Sequence, residues 1–190
     1  HPNYVSSEVV SETYVALDRD VLDVSSELPI VVLENFGQRA PLDRTFRNGF
    51  AAIFEPDATG RSRLTNPADL TSRIGMHRRG QSTFVHPKVH WRIEFRDEWD
   101  EDRNVEPLGL PADADFILNP PFMTDRAMLR NAFMFELSRQ FGRWAARTRF
   151  VEVYSNTDGN ALTEDDYKGL YLFTERIEIG EDRVNVRYDD

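Results

Sequence analysis

Short apolar runs separated by turn residues constrain the fold of this chain more than any other feature. The clearest run covers residues 88–95, where the odd positions from 89 onward are apolar and the even positions are polar. A period of two places alternate side chains on opposite faces, so it predicts a strand with one buried face. Similar runs occupy residues 28–33, 50–54, 150–154 and 169–179. The chain is therefore expected to build a sheet.

Residues 125–141 follow a different pattern. Their apolar side chains recur every three or four positions, which predicts a helix with one apolar stripe. Thr124 or Asp125 can cap its start, and Gly142 supplies a left-handed stop. Strands, one long helix and further strands predict an α+β fold with an antiparallel β-sheet.

The beginning of the chain carries weaker signals. Residues 1–27 are polar and predict a linker or a strand from an upstream module, which places the domain at residues 28–190. The first residues include neither a Met nor the parts of a signal peptide, so a piece of a longer protein is expected.

Charge and composition exclude several classes of protein. The formal net charge of −10 argues against a nucleic-acid partner, which would need a basic face. The chain has no cysteine, which excludes disulfides and thiolate metal sites. No apolar run reaches about 18 residues, so no membrane span is predicted.

Lysine is rare in this chain, since Lys88 and Lys168 are the only lysines among 23 basic residues. Lys88 lies on the polar face of the strand predicted at residues 88–95. It is either an ordinary surface residue or a position where a compact ammonium is required.

Glu136 falls on the apolar stripe of the predicted helix, where a carboxylate needs a partner. In protein kinases, a strand Lys paired with a helix Glu grips the phosphates of ATP, so Glu136 could hold Lys88. The alternative is a Glu at the edge of the stripe, bonded to an arginine such as Arg130.

The turn Arg79-Gly80-Gln81-Ser82 offers backbone N–H groups and a hydroxyl that can wrap an anion, although a plain hairpin is the alternative. The histidines show no zinc-motif spacing. The insert at residues 156–166 has oxygen ligands suited to calcium, but its Gly is misplaced for an EF-hand, which favours a solvated hairpin tip.

Four motifs, at residues 74–82, 87–95, 116–131 and 167–175, occur in an order that resembles the CotH-type spore coat protein kinase family. Residues 74–82 are similar to its arginine-glycine-x-serine turn, and residues 87–95 to its lysine-bearing strand. Residues 116–131 match the lead-in and start of its helix, although Phe116 stands where the family often has Trp. Residues 167–175 are similar to its glycine-x-tyrosine-x-x-x-glutamate hairpin.

This resemblance implies a kinase-N-lobe-like fold that uses ATP with Mg²⁺ or Mn²⁺ to phosphorylate Ser on secreted or surface proteins. Lys88 would bind the nucleotide phosphates, Glu136 would anchor Lys88, and residues 171–175 would lie near the interlobe hinge. The phosphates would be covered by a loop of four residues: Arg79, Gly80, Gln81 and Ser82. A secreted or cell-surface location would follow, with an unidentified protein as substrate.

In this family the carboxylates that hold the metal lie beyond the glutamate hairpin, and only residues 176–190 follow it here. The catalytic lobe is therefore expected to be absent, the isolated chain inactive, and the exposed lobe face available for self-association. Two other functions stay open. One is a β-rich surface or cell-wall binding module that stacks sugars on Trp91, Trp99 and Tyr154; the other is a coat scaffold with an acidic contact surface.

Overall fold

The computed structural model describes residues 13–39, 43–122 and 125–186. The first twelve residues of the predicted linker and the proposed cap Thr124 lie outside these ranges. The regular elements are β1 (Ser25–Ser26), β2 (Ile30–Glu34), β3 (Arg47–Phe54), β4 (Ser62–Arg63), β5 (Leu70–Arg78), β6 (Trp91–Arg96), β7 (Asp115–Asn119), α1 (Arg130–Gln140), β8 (Thr148–Asn156) and β9 (Tyr167–Glu175).

Seven of these strands close into a barrel in the order β2-β3-β5-β6-β7-β9-β8. All neighbours pair antiparallel except β2 and β8, which run parallel with Ile30 opposite Glu152 and Glu34 opposite Asn156. This parallel pair joins the two ends of the sheet. Closure leaves the seven strands without a free edge.

Strand β2 is buried on both faces, which explains why its sequence is a continuous apolar run and not an alternating one. Val31 and Leu33 point into the barrel. Ile30 and Val32 belong to a second apolar cluster on the outside, where partly buried Leu17 and Ala68 also pack. The strand at the closure is therefore covered from both sides.

Aromatic side chains fill the barrel interior. The ring of Phe116 lies 5.8 Å from that of Phe95 and 5.1 Å from that of Phe173, measured between centroids, and all three are almost completely buried. In β6, buried and partly exposed positions alternate, which confirms the period of two found in the sequence. Alternation thus divides β6 into a core face and an outer face that can carry a site.

The predicted kinase-N-lobe-like α+β fold is wrong, because the protein is mostly β with a closed barrel and one short helix. Helix α1 begins at Arg130 and not at Asp125, although the Asp125 carboxylate accepts a hydrogen bond from the Arg130 N–H at 2.9 Å. None of its residues is buried, and Phe133 is 61 % exposed. The apolar stripe therefore does not pack on the sheet. The stop at Gly142 is confirmed by its φ of +72°.

Two strand assignments also change. Residues 88–90 precede β6 and do not belong to it, so Lys88 lies on a connection. Strand β7 is not predicted from the sequence, because it has only five residues and its short apolar stretch also suits the approach to the helix. Within the described residues, no helix is long and apolar enough to cross a membrane.

Candidate functional site

The turn Arg79-Gly80-Gln81-Ser82 leaves β5 on the outside of the barrel. The Arg79 N–H donates to the His90 carbonyl oxygen at 2.9 Å, and the Arg44 guanidinium donates to the Gly80 carbonyl oxygen at 2.8 Å. Gly80 has a φ of +110°, and a Cβ there would collide with the hydroxyl of Thr83. Glycine is therefore required at this position. The two hydrogen bonds fix the backbone of the first two residues of the turn.

A cleft of about 530 Å³ lies beside this turn, on the outer face of the barrel. Four arginines from four parts of the chain line it: Arg44, Arg79, Arg92 and Arg176. Gly80, Gln81, Asn119 and Phe135 also contribute to its walls. We call this the arginine cleft.

Two of the four arginines pair with carboxylates. Arg92 forms a bidentate contact with Asp115, with nitrogen-to-oxygen distances of 2.8 and 3.0 Å. Arg176 bonds to Asp115 as well and forms an ion pair with Glu178 at 3.0 Å. These contacts fix both guanidinium groups at the floor of the cleft.

Arg79 differs from them, because its guanidinium makes no ion pair and no side-chain hydrogen bond among the described residues. Burial lowers its pKa, and the charges of Arg92 and Arg176 lower it further. A half-buried cation next to two like charges lacks the anion that would stabilise it. The arginine cleft is thus built to accept an anion.

Two histidines report the same electropositive surroundings. Burial, followed by the charge of Arg79, lowers the pKa of His90 to about 4. Burial also lowers the pKa of His77, with contributions from Arg92, Arg79 and Arg44. Both imidazoles are therefore neutral near pH 7 and leave the positive charge to the arginines.

Lys88 lies elsewhere, at the open end of the barrel. Its ammonium donates to the Leu170 carbonyl oxygen at 2.6 Å and stands 4.8 Å above the ring of Tyr171. The loop residues Arg79, Gly80 and Gln81 line the arginine cleft, whereas Lys88 lines a different cavity. Ser82 begins a short 3₁₀ turn and lines neither cavity. The predicted nucleotide-binding residues are thus divided between two places.

Glu136 is on the exposed side of α1 and contacts neither Lys88 nor the barrel. Its carboxylate accepts hydrogen bonds from Arg139 and Gln140, and the bond from Arg139 is the main reason why its pKa is lowered. The structure therefore shows the partner arginine of the alternative interpretation, although it is Arg139 and not Arg130. The Lys88–Glu136 pair is absent because α1 does not pack on the sheet.

Residues 171–175 form the middle and end of β9 inside the barrel wall. At the last position, the fully buried Glu175 carboxylate accepts from Arg147 and from Arg183 at 2.8 Å each. Arg183 is itself buried and also pairs with Asp113 at 2.6 Å. The segment after β9 is thus held against the barrel by a buried ion-pair network.

Glu178 extends this network and gives it a pH dependence. Burial raises its pKa to about 7, and the adjacent Asp113 carboxyl raises it through a hydrogen bond and through its charge. Between about pH 4.5 and 7 the folded protein holds a proton on Glu178 that the unfolded chain does not hold. This contribution to stability is present at low pH and is lost as the pH rises through 7.

We therefore expect Glu178→Gln to be more stable than the wild type at pH 8, by on the order of 1 kcal/mol, because an amide cannot repel Asp113. The difference should vanish near pH 4.5, where the wild-type carboxyl is protonated. Urea denaturation at the two pH values measures it. A difference that is equal at both pH values would contradict the assignment.

The potential metal ligands of the described residues do not cluster. Among the described residues, no group of three or more His, Asp or Glu side chains is placed to hold a metal ion. The Mg²⁺ or Mn²⁺ that the resemblance implies therefore has no site of three or more such ligands among the described residues.

Sequence reasoning missed Arg44, Arg92 and Arg176. Arg92 had a signal, since it stands on the polar face of the alternating segment at residues 88–95. The other two come from the loop before β3 and from the residue that follows β9, and only the closed sheet brings them near Arg79. Of the aromatics proposed to stack sugars, Trp91 and Tyr154 are buried, and Trp99 is 77 % exposed.

A comparison with protein families identifies the family of this chain. A family model described as CotH kinase protein matches residues 76–190, from the end of β5 to the end of the chain. No curated protein matches the chain. The matched range includes Arg79, Arg92 and Arg176 of the arginine cleft as well as Lys88. Since it covers more than half of the 190 residues, this chain belongs to the CotH kinase protein family.

Proposed function

We propose that this chain is the nucleotide-binding part of a CotH-type protein kinase, and that it holds the phosphates of ATP in the arginine cleft. The unpaired guanidinium of Arg79 carries the proposal. Phosphate oxygens would accept from Arg79 and from the backbone N–H groups of the Gly80 turn, and a planar guanidinium suits such oxygens.

The rest of the cleft fits the other parts of a nucleotide. Ile117 and Phe135 provide apolar surface for a base, and the amide of Asn119 can donate to or accept from its edge. The cleft volume of about 530 Å³ lies within the range of small-molecule sites. These residues come from β7 and α1, so the helix would contribute to binding although it does not pack on the barrel.

Membership of the family also supports a role in phosphorylating Ser residues of secreted or surface proteins, with ATP and a divalent metal. The chain at residues 28–190 would then supply nucleotide binding. Transfer of phosphate by this chain alone is not expected, since the resemblance places the metal-holding carboxylates after the glutamate hairpin. Incubation with radiolabelled ATP, Mg²⁺ and a Ser-rich peptide measures any such transfer.

The nucleotide site is tested by Arg79→Ala. We expect ATP affinity to fall about 10- to 100-fold, because a hydrogen bond between charged groups contributes about 1.5 to 3 kcal/mol. Isothermal titration calorimetry with ATP measures the loss. Arg149→Ala is the matched control, since Arg149 is exposed on β8, away from the cleft, and bonds to a backbone oxygen.

Two results would overturn the proposal. One is equal ATP affinity in the wild type and Arg79→Ala, or no binding by either. The other is a loss of affinity in Lys88→Ala with none in Arg79→Ala, which would move the nucleotide to the open end of the barrel and restore the phosphate role predicted for Lys88.

A further inference from the structure

The open end of the barrel contains a second cavity, of about 510 Å³, that the nucleotide proposal does not use. It lies where β6 begins, β8 ends and β9 begins. Trp91, Tyr171 and Phe122 supply aromatic walls, and Pro87 and Val89 add aliphatic surface. We call it the barrel mouth. An apolar chamber with few polar groups is the usual form of a small-molecule site.

Both lysines of the chain line this cavity. Lys88 donates to the Leu170 carbonyl oxygen at 2.6 Å, and Lys168 to the Asp165 carbonyl oxygen at 2.9 Å. Neither ammonium forms an ion pair with a carboxylate among the described residues. Lys88 is partly buried and still lacks a carboxylate partner, whereas Lys168 is exposed.

Each ammonium has three N–H groups and uses one of them on a backbone oxygen, so both retain donors for a ligand. Burial lowers the pKa of Lys88, which shows that its charge is partly desolvated. A negatively charged ligand would restore the lost stabilisation of that charge. The anionic group of the ligand is therefore expected between the two amines.

Ser155 provides an independent indication. It is 2 % exposed, it lines the barrel mouth beside Thr157, and its hydroxyl has no hydrogen-bond partner among the described residues. Buried hydroxyl groups are normally hydrogen-bonded. A ligand oxygen in the cavity would give Ser155 the partner that the protein does not provide.

We propose that the barrel mouth binds a small aromatic carboxylate, of the size of an N-acylated aromatic amino acid. The ring lies against the partly exposed side chains of Phe122 and Val89, and the carboxylate accepts from Lys88, Lys168 and the Ser155 hydroxyl. The mainly apolar walls favour a singly charged carboxylate over a doubly charged phosphate, which would lose more hydration on entering. This site is separate from the arginine cleft.

The proposal is tested with N-acetylphenylalanine and its neutral amide, titrated into the wild-type chain in the calorimeter. The acid is expected to bind at least about tenfold more tightly than the amide, because only the acid can neutralise the two ammonium groups. Phenyl phosphate serves as the third probe. Equal binding of acid and amide, tighter binding of phenyl phosphate, or no saturable binding up to about 10 mM would each overturn the proposal.

Variants locate the site independently of the probes. Lys88→Met and Lys168→Met keep the length of the side chain and remove its charge, and each is expected to weaken binding of the acid about tenfold. Arg149→Ala should leave it unchanged. ATP affinity should stay at the wild-type value in Lys168→Met, so failure of this site and failure of the nucleotide site give different patterns. Full binding of the acid by both lysine variants would exclude the barrel mouth.

Discussion

Glu175→Ala is expected to lower the free energy of unfolding by about 3 to 5 kcal/mol. The carboxylate is fully buried and accepts from the Arg147 backbone N–H and from the guanidinium groups of Arg147 and Arg183. Removing it leaves Arg183, whose side chain is 3 % exposed, with Asp113 as its remaining partner. The loss of one of its two carboxylate partners leaves the buried charge of Arg183 only partly compensated, which is far more costly than the intact network is stabilising.

Thermal or urea denaturation measures the loss, and the melting temperature should fall by about 6 to 20 °C. The control is Glu136→Ala, which removes another Glu–Arg pair, but from the exposed surface of α1. That variant should unfold at the wild-type midpoint, because water replaces the partner of an exposed charge. Similar losses in the two variants would show that Glu175 is not buried as described.

Phe116→Ala is expected to cost about 3 to 5 kcal/mol of unfolding free energy as well, but for a different reason. Phe116 is the middle ring of the row that joins Phe95 and Phe173 inside the barrel. Its removal leaves a cavity, because the neighbouring rings are held by strands that are paired on both sides.

Urea denaturation of Phe116→Ala should show a lower midpoint with an unchanged slope, which separates a loss of stability from a change in the unfolded state. Phe141→Ala is the matched control, since Phe141 ends α1 and is 76 % exposed. It should unfold like the wild type. A cost below about 1 kcal/mol for Phe116→Ala would contradict a packed barrel interior.

Local patterns in the sequence were reliable where the structure is also local. The alternation in β6, the stop at Gly142 and the turn around Gly80 are each set by a few neighbouring residues, and the structure has all three. The resemblance to the CotH family rested on the order of such local motifs, and the family match confirms it.

The closed barrel had no comparable signal. It depends on the parallel pairing of β2 with β8, whose partners Ile30 and Glu152 lie far apart in the chain. The stripe of α1 was misleading, because periodicity shows that a helix has an apolar face and not that another element covers it. The predictions of the Lys88–Glu136 pair and of the kinase-like lobe both assumed that α1 packs on the sheet.

The arginine cleft could be predicted only in part for the same reason. The Gly80 turn and the polar face of β6 were visible in the sequence, whereas the convergence of Arg44 and Arg176 on Arg79 requires the closed sheet. The predicted position of Lys88 on the strand is wrong by only three residues. The alternating segment becomes a strand only at Trp91, and this moves Lys88 to the barrel mouth.

Because of the parallel closure, we expect that the part of the chain carrying the family match does not fold as an independent unit. The match begins at residue 76, after β2, β3 and most of β5. A polypeptide limited to the matched range would lack β2, β3 and most of β5, which leaves unpaired edges on β8 and β6 that favour aggregation. The family match thus lies in a segment whose folding depends on residues outside it.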